Sequence, residues 1–396
     1  MRRDGFPHLK LTRRGVLAGA GGLTLAASHY PLSFAAGLDD RKLVVIILRG
    51  ALDGLSLVAP WHETDYYAAR PTIALAPPGE ANGVLATGDG FGLNPNLPFL
   101  KTLWDRRQLN FMPAAMSAYR DRSHFDGQDM LETGANTVYG LDDGWLNRAL
   151  SRLPTSQGAL GLGNVVPLIL RGEASVSNWA PTILPPANPE MISRLEILYR
   201  NDPLLSASLS AAIATGQIVG DTQSLGNGYE ETARAAGRFL AAEGGPSAAA
   251  MSFDGWDTHA NQGGAQGVLA NNLAALNRAI EGLYDELGPW WSKTAVILAT
   301  EFGRTVEQNG TGGTDHGTGG TALLFGGAVR GGRMLGYWPG LHYAQLHEGR
   351  DVYPANDLRS LFKGVLRDHW GVDRADLESV VFPGSAQAAA YEGLIG

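Results

Sequence analysis

Apolar residues run almost unbroken through Lys42–Leu48 (KLVVIIL), Leu109–Ala114, Ala248–Phe253 and Ala295–Ala299, and again through Thr321–Phe325. Runs of this length without polar alternation mark strands buried on both faces, as in parallel sheets. Val165–Leu170 reads as a further strand. Helical spacing takes over between the runs. Leu269, Leu273, Leu276, Ile280 and Leu283 recur on one face of a helix predicted over about 266–287. Shorter helices are predicted near 96–104, from about 123, and near 146–153, 191–199, 204–215, 229–242 and 356–369. Residues 60–98 are Pro- and Gly-rich and predict loop. Strands that alternate with helices predict an α/β fold on a mostly parallel sheet with right-handed crossovers, with a helical insertion at about 171–246.

Composition narrows this picture. The chain has no Cys, which removes disulfides, thiolate metal ligands and Cys nucleophiles. Residues 1–36 are basic, so the remaining body carries about −12 of a formal net charge of −8. An acidic body disfavours nucleic acid and anionic membrane surfaces as partners. Thr12-Arg13-Arg14 precedes a modest apolar run (Val16 to Ala27) and a small-residue segment (Ser33 to Ala36). That order predicts a twin-arginine signal over 1–36, and with it a periplasmic or secreted protein. The apolar run is too short for a stable span, so no membrane span is expected after signal removal. Residues 37–396 then form a single domain.

Candidate chemistry falls where the strands end. Asp53 follows the first strand between Gly50 and Gly54. Arg122-Ser123-His124 stands at the predicted start of a helix, where Ser123 reads as a nucleophile or as an ordinary N-cap. Asp257 and His259 follow the Ala248–Phe253 run, and Asp-x-His in an extended loop aims a carboxylate and an imidazole the same way. Carboxylate with imidazole suits Zn, Mn or Fe. Glu301 ends the next strand, Arg304 is placed to pair with it or to face an anion, and Asp315-His316 sits in a Gly-rich loop. In a parallel sheet these ends share one edge, which predicts a metal site. His342, His347 and His369 lack acidic neighbours at ligand spacing and read as surface or packed histidines.

Five motifs in order carry a resemblance: RGALDGL at 49–55, RSHFDGQ at 122–128, DGWDTHANQ at 254–262, EFGRT at 301–305 and TDHGTGG at 314–320. Over roughly residues 42–335 the chain resembles the twin-arginine-exported DUF1501 family, within the alkaline phosphatase-like superfamily that includes sulfatases and cofactor-independent phosphoglycerate mutases. The resemblance implies a three-layer α/β/α sandwich bearing a metal-dependent esterase site. Asp53 matches the first-strand metal aspartate and Ser123 the nucleophile position, with His124 the alternative aligned residue. Asp257 and His259 match the Asp/His pair after a middle strand, Glu301 the late-strand acid, and His316 the last metal histidine. Phe302 stands where a metal histidine is expected, leaving one position short of a ligand unless Asp315 or His124 fills it. One or two divalent ions (Zn, Mn or similar) are implied. A formylglycine sulfatase is disfavoured, since there is no Cys and no corresponding Ser motif.

The expected function is hydrolysis of a phosphate or sulfate ester on a small molecule or polysaccharide. Ser123 would attack, and Arg122 or Arg304 would bind the non-bridging oxygens. The rival expectation, motivated by Phe302, is an exported binding or assembly protein that has lost catalysis.

Overall fold

A computed structural model describes residues 40–181, 188–219 and 228–396. The predicted signal and most of the Pro-rich segment near 181–189 lie outside the described residues. Among the described residues the central sheet has nine strands, seven of them of four residues or more: β1 (Lys42–Leu48), β2 (Leu109–Met116), β3 (Ala159–Leu162), β4 (Val176–Trp179), β5 (Ala248–Phe253), β6 (Thr294–Ala299) and β7 (Gly320–Phe325). Their order is β2–β7–β6–β1–β5–β3–β4, with two-residue strands Arg333–Met334 and Asn356–Asp357 added alongside β2. β1 pairs in parallel with β5 and β6, and β3 in parallel with β5 and β4. Only β7 is antiparallel to its neighbours β6 and β2.

β1 lies at the centre of this sheet because it has no polar face to offer water. Val44, Ile46 and Leu48 pack into one apolar cluster, and Leu43, Val45 and Ile47 into the opposite one. Each such side chain, fully buried, stabilises the fold by roughly 1.5–3 kcal/mol. The first cluster joins the sheet to the helices Pro98–Asp105, Tyr229–Ala241 and Val268–Leu287; the second joins it to Trp145–Leu150 and Leu358–Trp370. The result is a mostly parallel sheet between two helical layers.

Val165–Leu170 is not a strand. A 3₁₀ turn occupies Leu168–Leu170, with Pro167 before it, and a residue without an N–H and with fixed φ cannot serve a central ladder. The strands there are β3, which lies between Gly158 and Gly163, and β4. Within residues 60–98, expected to be loop, Phe91–Leu93 pairs with Leu85–Gly88 and with Val58–Ala59 just before them in a small antiparallel sheet. No helix among the described residues is long and apolar enough to cross a membrane.

Topology fixes what happens at one edge. β1, β2, β5 and β6 run the same way, so the segments leaving them emerge together. β7 runs back, so the loop 300–319 begins and ends at that same edge.

Candidate metal centre

The strand ends are held together by close backbone approach. Gly50 adopts φ +113°, and a Cβ there would lie 2.6 Å from the backbone nitrogen of Asp257, so only glycine lets the β1 and β5 loops meet. Arg304, 1% exposed, ties three loops to one another. Its Nε donates to Ala51 O (2.7 Å), its Nη1 to Thr314 O (3.0 Å), and its Nη2 to Gly50 O (2.6 Å) and to Asp257 Oδ1 (2.5 Å). The Gly-rich loop 303–318 folds back on itself: Gly303 N donates to Thr318 O (2.8 Å), Gly317 N to Gly303 O (2.8 Å) and Thr305 N to Asp315 O (2.9 Å). Its rigidity therefore comes from backbone pairing as well as from side chains.

Three histidines converge between these loops. His124 is the first residue of the helix His124–Thr133, with Ser123 at the N-cap. Its Nε2 lies 3.0 Å from His316 Nε2, which lies 3.0 Å from His259 Nε2. Asp257 closes the group: Oδ1 is 2.9 Å from His259 Nε2 and 3.2 Å from His316 Nε2, and Oδ2 is 3.4 Å from His124 Nε2. Each histidine spends its other nitrogen on an acceptor. His124 Nδ1 lies 2.9 Å from Glu301 Oε1, His259 Nδ1 3.1 Å from Asp315 Oδ1, and His316 Nδ1 3.0 Å from the carbonyl of Arg122.

These partners assign the tautomers. A carbonyl can only accept, so His316 carries its proton on Nδ1 and turns a lone pair inward. The carboxylates impose the same choice on His259 and on neutral His124. Three imidazole lone pairs and a carboxylate then face one another at about 3 Å, an arrangement that repels unless a cation or added protons sit among them. Tetrahedral ligation at about 2.0–2.1 Å separates ligand atoms by about 3.3 Å, close to the spacings here. Acceptors on the outer nitrogens are the usual supports of metal-bound histidines. The residues whose ligand atoms all lie close enough to share one divalent ion are His124, His316 and Asp257, and His259 stands beside them, its Nε2 3.0 Å from that of His316 and 2.9 Å from Asp257.

The same contacts set the electrostatics of the group. The hydrogen bond to Glu301, and then that residue's charge, raise the pKa of His124 against the opposing effect of burial. Burial lowers that of His316, helped by the charges of His124 and Arg304. Burial would raise Asp257, but the hydrogen bond and charge of Arg304 hold it below the usual carboxylate range. Glu301, fully buried, is also held low despite its burial, by hydrogen bonds from His124, Gln128 and the Gly50 backbone.

The other expected residues lie around this group. Asp53 is fully buried and its acceptor capacity is spent: Oδ1 takes Arg70 Nη2 (3.0 Å) and Leu55 N (3.2 Å), while Oδ2 takes Arg70 Nη1 (2.6 Å), Ser56 Oγ (2.6 Å) and Gln262 Nε2 (2.7 Å). Glu301 and Asp315 stand behind histidines. Arg122 pairs with Asp351 and Glu348, both at 2.7 Å. The Ser123 backbone N–H donates to Tyr119 Oη (3.0 Å). Among the described residues no hydrogen bond links the Ser123 hydroxyl to the histidine cluster.

One chain of contacts escaped the sequence reading. Gln128 Nε2 donates to Glu301 Oε1 (3.1 Å), and Arg49 holds both Gln128 (2.5 Å) and Glu132 (2.6 Å). The signal was available, because residues 124, 128 and 132 are spaced i, i+4, i+8 and line one helix face.

No curated protein matches the chain. Among solved structures, Ps i-CgsB in complex with k-i-k-neocarrahexaose is similar at 10% identity and a TM-score of 0.40, covering 88% of this chain and 77% of its own. A mutant of TAB5 alkaline phosphatase with Mg bound in its M3 site is similar at 11% identity and a TM-score of 0.33, covering 74% and 92%. The fold assignment rests on the strand order, not on these overlaps. The sequence pattern of a family described as a protein of unknown function, DUF1501, matches residues 112–381, a span that includes most of β2, the three histidines, Asp257 and Glu301. The chain belongs to the DUF1501 family.

Proposed function

We propose that this protein is an exported, metal-dependent hydrolase of phosphate or sulfate esters on a small molecule or polysaccharide. The observation that carries the reading is the convergence of three imidazole Nε2 atoms on Asp257, each ring held from behind by an acceptor. His124, His316 and Asp257 would hold a single divalent ion such as Zn or Mn, with His259 beside them as a fourth candidate ligand. Such an ion, when bound, polarises an ester oxygen and lowers the pKa of a nearby hydroxyl or water. The chain's own groups supply the rest. Glu301, Asp315 and the Arg122 carbonyl keep the proton on each outer nitrogen. Asp257 and His259, both close to half exposed, mark the side from which a substrate approaches. Ser123, at the N-terminus of a ten-residue helix, is the proposed nucleophile, in a field that favours an anion.

Metal content of the exported protein, with turnover on aryl phosphates, phosphodiesters and sulfates, tests the reading. About one ion per chain and ester hydrolysis lost in His316→Ala are expected. Full turnover in Ser123→Ala would transfer the nucleophile's role to water. A second reading, an exported binding or assembly protein on the same fold, is favoured by the missing hydrogen bond between the Ser123 hydroxyl and the cluster. Bound metal without turnover on any ester would select it.

A further inference from the structure

Beside the cluster lies a groove of about 530 Å³, within the range of about 300–1,000 Å³ that accepts a small ligand. It borders the centre directly, because Asp315, which supports His259, and Arg350, whose Nη2 donates to His316 O (2.5 Å), both line it. Its other walls carry Asp65, Glu307 and Tyr343. The Tyr343 ring is 74% exposed, an aromatic face held in water beside a candidate site.

The charges are lopsided. Asp65 and Glu307 are exposed and have no ion-pair partner among the described residues, and Asp315 adds a third carboxylate. Arg350 is the groove's sole cation among its lining residues, and it is already directed at a backbone carbonyl and at Asp351, 3.7 Å away. An anionic ligand would meet like charge with little compensation, which acts as discrimination against it. A cationic group would be drawn by the carboxylates, so charge alone excludes only anions. Hydroxyl groups suit the place well: each can donate to a carboxylate that accepts only and accept from the Gln308 Nε2 amide, whose Oε1 is taken by Thr72, while the Asn309 amide is spent on His259, Asp315, Thr311 and Gly313. A ring with an apolar face would lie against Tyr343.

We propose that this groove binds the part of the substrate remote from the ester, and that this part is a polyhydroxylated chain, a saccharide without further anionic groups. The proposal rests on the hydrolase reading for its role but not for its binding chemistry. The ester therefore goes to the histidines, and the hydroxyl-rich units fix its orientation from the Tyr343 side.

The test uses the whole exported chain stripped of metal with chelator, probed on an array of neutral, amino-bearing, carboxylated and sulfated oligosaccharides. Neutral glycans should bind at least tenfold more tightly than sulfated or carboxylated ones of the same length. Tyr343→Ala should weaken that binding at least tenfold with unfolding unchanged, because the side chain is largely exposed. Glu307→Lys should narrow the gap by raising the affinity for anionic glycans. Binding to no glycan, a preference for anionic ones, or indifference to Tyr343→Ala would each overturn the proposal. Aryl-ester turnover with metal restored separates the two claims: activity without glycan binding sinks the groove alone, and glycan binding without activity sinks the hydrolase alone.

Discussion

Phe302 lies nearly face to face with His124, ring centroids 5.0 Å apart and planes 28° from parallel. It is fully buried, and its ring also lies 5.3 Å from that of His316. The residue that breaks the expected metal pattern is thus the wall against which two of the three histidines rest. A histidine at 302 would be in that wall, flanked by Gly127, whose Cβ position is 3.0 Å from the Phe302 ring.

Phe302→His is therefore expected to leave metal stoichiometry at one ion per chain, while lowering stability through a buried imidazole with no hydrogen-bond partner, by about 1–3 kcal/mol. Elemental analysis and denaturant unfolding check both parts. Two ions per chain would restore the dinuclear reading of the site.

Glu301→Gln keeps the size of the side chain but removes the charge that holds the His124 proton on Nδ1. Loss of such an outer acceptor costs about 10–100-fold in metal affinity, and that drop is expected by competition with a metal chelator. The conservative Glu301→Asp should recover less than the full affinity, because the shorter side chain no longer spans from Gly50 N to His124. Unchanged affinity in Glu301→Gln would reduce Glu301 to a packing role.

Asp53 and Asp257 look alike in the sequence, each an acid shortly after a strand, yet they sit in opposite circumstances. Burial raises the pKa of Asp53, but Arg70's charge and hydrogen bonds, then Ser56 and Gln262, hold it below the ordinary value. A folded pKa below the unfolded one means that its stabilisation is present above about pH 3.9 and is lost as the pH falls through the lower, folded value. Asp53→Asn leaves Arg70 buried without its counter-charge, a loss of about 3–5 kcal/mol. The unfolding free energy should fall by that amount near pH 7, and its acid dependence should flatten. Metal content per folded chain should not change, whereas Asp257→Asn should lose metal with a much smaller stability loss.

How far the sequence leads depends on whether a signal is local. The buried strands are local: KLVVIIL and TAVILA can satisfy neither face in water, and both form strands within a residue of where periodicity puts them. The shared edge follows from parallel pairing, so the meeting of Asp257, His259 and His316 near Glu301 was legible. What was not legible is rank within the site. Whether a carboxylate faces inward or stands behind an imidazole depends on a few ångströms set by loops such as Gly50 against Asp257, and no spacing rule encodes that. Asp53 is the clearest example, because its partner Arg70 lies in a segment read only as loop. β3 was missed because Ala159–Leu162 is four residues long and flanked by glycine.

Arg304 provides the last test, because its chemistry alone fits two roles. A guanidinium near a metal cluster could bind a substrate's non-bridging oxygens, yet this one donates to Ala51, Thr314 and Gly50 carbonyls and to Asp257, and is 1% exposed. A lysine presents three donors on a point charge and cannot reproduce the planar fork. Arg304→Lys would leave at least one of those buried carbonyls unsatisfied, at about 1–3 kcal/mol each. The expected result is a loss of stability together with weaker metal binding, because Asp257 loses the contact that orients it and holds it ionised. Restoring the metal to saturation should then return most of the turnover at unchanged KM. Full stability with a raised KM for phosphate or sulfate esters would instead make Arg304 a substrate-binding residue and require its side chain to leave the positions described here.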